Sequence, residues 1–430
     1  MSETAKRATE GGRRFGVVKD LLVLGLGEGS GRLLAFVATL LLARRLGAEA
    51  FGIITLGMTA LSWALWPSDL GLAQIGMRES ALAPQDRNLP LGGILRLRLL
   101  LGVAASLVVA VVLLLFVDNS DVRTISLLFL LATFPTLLQN EWYYQGKQEY
   151  ATITVMRTLF GGLYLIGVLL VVLAPEDLAF VPICYTAALA IAATAGWLRR
   201  DRTDLPTSKS QRESEDIGVS ARKRFGRILR RSTPVGLGGL LVGSMQLLPP
   251  IVLALVADEA TVGHFGATLR LVLAVLLLDR LFIALFFPRI TAAYGRGRGP
   301  FLALLRRVRL PLIVGSFLVS LLLSLFALPL VTEIYGPDYA PAAPALSILA
   351  WFVVGSVMTS YFSYPLLTVG VEKAYFRSSL ASTVVTSIAI VVLSLTHGLI
   401  GACLALAAGE MITAMLMFRE FRRGVGTIDE

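Results

Sequence analysis

The chain has 430 residues, 56% of them hydrophobic and only 16% charged, with a formal net charge of +10. Soluble globular domains carry about 25% charged residues, and one aqueous core cannot absorb repeated apolar runs longer than about 18 residues. The balance excludes a soluble enzyme or nucleic-acid-binding domain and assigns the chain to the all-α, polytopic membrane proteins.

Twelve apolar spans follow in chain order, near residues 18–43, 51–74, 93–117, 122–140, 151–173, 178–198, 233–256, 262–287, 309–332, 342–368, 374–396 and 399–418. The first is too long for a secretory signal and carries Glu28 and Arg32, so it reads as a membrane helix. Basic residues alternate between the two sides. One side takes Lys6, Arg7, Arg13, Arg14, Lys19, Arg78, Arg87, Arg96, Arg98, Lys147 and the clusters from Arg289 to Arg309 and Arg419 to Arg423. The other side has Arg44, Arg45 and Arg123, outnumbered by acids such as Glu49, Asp118, Asp121, Asp258, Glu259 and Asp338. This is the positive-inside pattern in every loop but the first. It predicts a multi-pass protein of the inner (plasma) membrane with both termini cytoplasmic, and it accounts for the basic excess without nucleic acid.

The long polar stretch from Arg199 to Arg231 divides the chain in two. The predicted organisation is a cytoplasmic tail (1–17), an N-lobe of six helices (18–198), a basic linker (199–232), a C-lobe of six helices (233–418) and a second tail (419–430). The linker reads as a solvated connector. Its ARKRFGRILRR end suits anionic lipid head groups, at about 1 kcal/mol per basic residue. LGAEAFGIITL after the first helix is echoed by VADEATVGHFGATL after the seventh. Six helices separate them, as a parallel repeat about the membrane normal requires. A two-lobed transporter with a central cavity between the lobes is expected.

Ionisable groups at mid-membrane cost about 2.5–3.5 kcal/mol each on insertion scales and therefore face a partner or a cavity. Gly25, Glu28, Gly29 and Arg32 share one helical face, so Glu28 and Arg32 fit either an i,i+4 ion pair or a polar cavity wall. In WPSDLGL, Pro67 and Gly71 predict a helix break at which Asp69 either caps the next turn or binds a cation. Asp279 and Arg280 are adjacent and point about 100° apart, so one of them needs another helix or water. Glu410 has no local basic partner. The candidate substrate-binding residues are Arg32, Arg157, Arg270 and Arg280, whose forked donors suit phosphate. The candidate ion-coupling residues are Glu28, Asp69, Asp279 and Glu410. Parity of acids and bases leans towards an anionic or zwitterionic substrate.

GLGEGSGRLLAF fails the dinucleotide fingerprint at Ser30 and follows no strand, and no Walker A stretch is present. No enzymatic activity, cofactor or metal is expected. Cys184 and Cys403 lie within apolar spans, and His264 and His397 stand apart near outer helix ends.

LLARRLGAEAFGIITL (41–56), SDLGLAQIGMRESA (68–81), NEWYYQGKQEY (140–150) and EIYGPDYAPAAPALSILAW (333–351) occur in an order that resembles the Wzx-type lipid-linked oligosaccharide flippases. These belong to the superfamily that also holds multidrug and toxin exporters and lipid II flippases. The resemblance, over residues 18–418, implies a two-lobed bundle alternating between inward and outward openings. The implied substrate is an oligosaccharide on undecaprenyl pyrophosphate, held first by Arg32 and Arg270. Polysaccharide polymerase and glycosyltransferases are the implied partners. Two features depart from that pattern: many such flippases have fourteen helices, and an acid near the middle of helix seven is replaced here by Gln246 and Pro249–Pro250. The residues also admit a multidrug exporter of the same fold, a membrane polymerase, or a non-transporting scaffold for polysaccharide assembly; the short outer loops argue against the polymerase.

Overall fold

A computed structural model describes residues 3–82, 91–199 and 245–426, with nearly all side chains from Gly29 onward. Most of the basic linker therefore lies outside the described residues, as does the side chain of Glu28. All regular structure among the described residues is helical.

The elements are α1 (Glu3–Asp69), α2 (Leu72–Ser80), α3 (Leu91–Phe116), α4 (Ser120–Leu130), α5 (Thr133–Leu138), α6 (Glu141–Gly146), α7 (Tyr150–Val171) and α8 (Phe180–Arg199). Then come α9 (Met245–Val256), α10 (Glu259–Tyr294), α11 (Arg298–Leu325), α12 (Ala327–Tyr335), α13 (Ala343–Leu349), α14 (Phe352–Val369) and α15 (Glu372–Gly426). Among the described residues, eight helices are long and apolar enough to cross a membrane, and α9 is a shorter apolar helix.

Two of the longest helices are broken at glycine. Gly47 (φ 79°, ψ 177°) interrupts α1 between its first two apolar spans, and Gly398 (φ 55°, ψ −131°) interrupts α15 between the last two. Space for a Cβ exists at both positions, so left-handed backbone, which costs a glycine little, is the requirement there. α1 ends after Pro67, where Leu70 (φ 33°) and Gly71 (φ 79°) turn the chain into α2. Other boundaries shift from those predicted. α3 starts at Leu91, two residues before the predicted span 93–117 that already held Arg96 and Arg98. α11 begins at Arg298 and ends at Leu325, and the short α12 follows it. A polar or amphipathic turn can extend a helix beyond its apolar stretch.

Helix surfaces are wet-incompatible where bilayer is expected. On α3, Leu100, Leu107, Val108, Leu114, Leu115 and Phe116 are exposed, and on α15 so are Val384, Val385, Ile388, Val392 and Leu395. Apolar patches of that extent are unfavourable in water and neutral in hydrocarbon. The chain is a multi-pass membrane protein.

The chain forms two compact units: Met1–Leu41 with Ala60–Leu237, and Leu42–Thr59 with Gly238–Glu430. In the first, α7 packs along α8, α2 along α6, and α5 against α3 and α8. Its core holds Leu72, Ile94, Leu97, Trp142, Tyr143 and Met156. Buried polar atoms are tied to backbone: the Tyr144 hydroxyl donates to the Gly196 carbonyl at 2.6 Å, and the Trp197 indole to the Leu138 carbonyl at 2.8 Å. In the second, α14 packs along α15 and against α10 and α11, and the Ser320 hydroxyl donates to the Ala350 carbonyl at 2.8 Å.

Residues 42–59 group with the second unit for a visible reason. A Cβ on Gly52 would strike the Glu259 carbonyl, and a Cβ on Gly263 would strike the Ala48 carbonyl. Both pairs span four residues, 48 to 52 and 259 to 263, and each glycine sits on the residue that starts the other motif. The two echoing sequences therefore meet each other reciprocally, backbone against backbone, in the manner of small residues at membrane helix contacts.

Candidate functional site

Among the described residues, ionisable groups within the spans gather around Arg157 and Asp69 in the first unit and around Arg270 and Asp279 in the second. In the first unit, Arg157 stands on the second turn of α7. Its Nε donates to Glu141 Oε1 at 3.0 Å and its Nη2 to Oε2 at 2.7 Å. Glu141 opens α6, the EWYYQG helix, immediately after Asn140 in left-handed backbone (φ 50°). This bidentate pair fills one edge of the fork. The sequence offered Arg157 as a substrate residue and did not single out Glu141; the two are 16 residues apart on separate helices.

The α1–α7 contact beside that pair is unusually close. A Cβ on Gly31 would overlap the backbone of Arg157, and one on Gly161 would overlap the Gly31 carbonyl. The Ser30 and Thr158 hydroxyls bond at 3.0 Å across the same seam. Of the glycines of GLGEGSGRLLAF, Gly31 thus serves helix packing, whereas a Cβ on Gly29 would meet nothing within 4 Å. Arg32, half-buried, is the next residue along.

Asp69 serves as the cap that the break allows. Its Oδ1 accepts the Ala73 N–H at 3.0 Å, capping α2. It also lies 3.5 Å from Arg98 Nη2 on α3. The Arg98 Nε is buried and has no hydrogen-bond partner.

In the second unit Arg270 sits in an aromatic box. Its guanidinium carbon is 4.4 Å from the Phe51 ring centroid, in cation–π range. Its nitrogens reach Thr55 Oγ1 at 3.4 Å and Met58 Sδ at 3.2 Å. Tyr335 and Tyr339, whose rings lie 6.4 and 6.3 Å from that of Phe51, close the box. Both are fixed, Tyr335 donating to the Ala267 carbonyl and Tyr339 to that of Ala43. His264 meets Tyr339 edge-on and contacts the Asp338 carbonyl at 3.2 Å.

Asp279, further along α10, accepts the Ser360 hydroxyl of α14 at 3.0 Å. The expected need for another helix is met there, while Arg280 is exposed and acts on Asp279 through charge alone. Asp279 and Ser360 line a small cleft walled by Phe282, Phe286, Tyr361 and Tyr364. Glu410 neighbours the Thr359 hydroxyl and senses the Asp279 charge. Gly355 admits its backbone, because a Cβ there would touch the Glu410 carbon chain at 3.0 Å. These groups present oxygen donors only, suited to a proton or a hard cation. No group of three His, Cys, Asp or Glu able to hold a metal occurs among the described residues, and both cysteines are free thiols.

Residues 17–293 match the family model described as polysaccharide biosynthesis protein. Among curated proteins none matches the chain. Three solved structures share its fold. One is a multidrug resistance MATE family transporter of the MOP superfamily, in an inward-facing conformation (TM-score 0.71, 17% identity, 92% of this chain and 95% of that one). Another is the lipid II flippase MurJ in an inward closed conformation (TM-score 0.69, 14% identity, 93% and 87%). The third is a MOP superfamily transporter from Pyrococcus furiosus whose binding pocket is described as reversed in polarity (TM-score 0.65, 15% identity, 96% and 96%).

Proposed function

The chain belongs to the polysaccharide biosynthesis protein family, and on that premise we propose that it is a flippase for a lipid-linked oligosaccharide. Sugars joined to undecaprenyl pyrophosphate pass from the inner to the outer leaflet of the plasma membrane by alternating access. The family match over residues 17–293 carries this reading. A charged, sugar-bearing head group cannot cross hydrocarbon unaided, because desolvating it costs far more than thermal energy supplies. A many-helix member of such a family supplies a polar route.

Arg270 and Arg32 are the residues assigned to the anionic head group. Arg270 lies on an aromatic face beside Thr55 and Met58, and its planar forked guanidinium is of the kind that binds oxyanions. Arg280, exposed, is a second contact in the same unit. Arg157 has a framework part, because Glu141 occupies its fork. Asp279 and Glu410 are assigned to ion coupling. The basic residues face the cytoplasm with both termini, and the linker lies against anionic lipid. Glycosyltransferases supply the substrate and a polymerase consumes it.

A second reading, a multidrug exporter, is favoured by the aromatic-walled cleft at Asp279, which suits an amphipathic cation. Cells carrying Arg270→Ala distinguish the two. The flippase reading expects loss of surface polymer at normal protein level in the membrane and no change in dye resistance. Unchanged polymer with lost resistance contradicts it.

A further inference from the structure

Arg98, in the first unit, has one edge of its fork open. Arg157 gives Nε and Nη2 to the two oxygens of Glu141 at 3.0 and 2.7 Å. Arg98 has the same edge, Nε with Nη2, but Asp69 reaches only Nη2, and at 3.5 Å; the Nε is buried and unpartnered. The Arg98 side chain is 13% exposed and that of Asp69 40%. A buried charged donor left without an acceptor is costly, so a fork in this state is built for an acceptor with two oxygens. Asp69 is a poor candidate for permanent occupant, since its Oδ1 is already committed to the Ala73 N–H at 3.0 Å.

The surroundings suit a lipid phosphate. Arg98 lies on the second turn of α3, and its neighbours Ile94 and Leu97 join Leu72, Trp142 and Tyr143 in an apolar, aromatic cluster. Trp142 packs on Gly76 of α2 and has its own buried indole N–H without a partner. Arg96 on the same helix and Lys147, 5.1 Å from the Tyr143 ring centroid, add positive potential around the cluster.

We propose that Arg98 binds a phosphate or pyrophosphate oxyanion carried on a lipid, and that Asp69 is the resident counter-ion which that oxyanion displaces. Two sources share this chemistry, a polyprenyl pyrophosphate carrier and an ordinary phospholipid. The inference rests on the flippase reading for the first source.

The test is binding to the purified full chain in neutral detergent, followed by native mass spectrometry or thermal shift. The probes are farnesyl pyrophosphate, farnesol, inorganic pyrophosphate and phosphatidylglycerol. Wild-type protein is expected to bind farnesyl pyrophosphate with preference over farnesol. R98Q weakens that binding at least about tenfold, and R96Q changes it by less than about twofold. D69N, whose amide oxygen retains the cap on Ala73, tightens it several-fold by removing the competing carboxylate. Equal binding by R98Q, or weakened binding by D69N, overturns the site and leaves the flippase reading standing. Preference for phosphatidylglycerol, lost in R98Q, supports the site with phospholipid as its occupant and counts against a substrate role. Failure of the wild type to bind either lipid phosphate overturns the site, and failure with farnesyl pyrophosphate alone counts against the flippase reading. Should R98Q unfold, D69N carries the test, since tightening is not an effect of lost structure.

Discussion

Single residues divide into those that hold the helices and those left with capacity for a ligand. Arg157 and Glu141 are of the first kind. Glu141→Gln removes the charge from a two-point pair of partly buried groups, for which about 2 kcal/mol of lost stability is expected. The double variant Glu141→Gln/Arg157→Gln recovers part of it, because no charge is then left unpaired. Thermal unfolding in detergent checks both values, and a double variant less stable than the additive sum contradicts the pairing. Asp258, outside the spans, caps α10 through the Thr261 hydroxyl at 2.5 Å and its N–H at 3.0 Å. Those hydrogen bonds, the hydroxyl first, hold its carboxyl below the usual carboxylate range. A depressed value means that its stabilisation is present above the unfolded pKa, about 3.9, and is lost as pH falls through the folded one. Asp258→Ala is expected to cost about 1 kcal/mol at neutral pH and less in acid, measured as the pH dependence of the unfolding midpoint. Asp69 shows how much was legible at this scale. Proline and glycine two residues either side of it disclosed the break and the cap, both local matters. Its second partner, Arg98, and the partners of Arg157 and Arg270 come from other helices, and Phe51 is 219 positions from Arg270 in the numbering. Spacing along one helix carries no signal for those. Arg98 alone had one: Leu91, Ile94 and Arg98 share a helical face, the buried one.

At the scale of elements, glycine decides where helices end and how near they come. The breaks at Gly47 and Gly398 were legible as punctuation between apolar runs. The short α12 and the early start of α11 at Arg298 were not, since hydropathy marks the lipid-facing core and misses polar turns at helix ends. The reciprocal contact of Gly52 on Glu259 and Gly263 on Ala48 gives the weak sequence echo a physical content. Two motifs that resemble each other meet each other within the second unit. Gly263→Ala must push backbone away from backbone, with no side chain able to yield. A loss of about 1–3 kcal/mol is expected, while Gly315→Ala on α11, where a Cβ meets nothing within 4 Å, is expected to be close to neutral. Equal unfolding midpoints for the two variants would contradict the close contact.

For the whole molecule, composition was enough for the class, because the bilayer imposes one rule on every span, and the alternation of basic loops is the basis of the expected topology. The substrate is another matter, since one fold hosts exporters and flippases alike, and the distinction lies in which side chains line the route. Translocation of a defined undecaprenyl-pyrophosphate-linked oligosaccharide in vesicles holding only this protein is the most direct measurement. Transfer to the opposite leaflet that depends on the wild-type chain, and that Arg270→Ala reduces at least about tenfold, is the predicted result. Absence of transfer by wild-type protein that still extrudes a cationic dye from the same vesicles would contradict it.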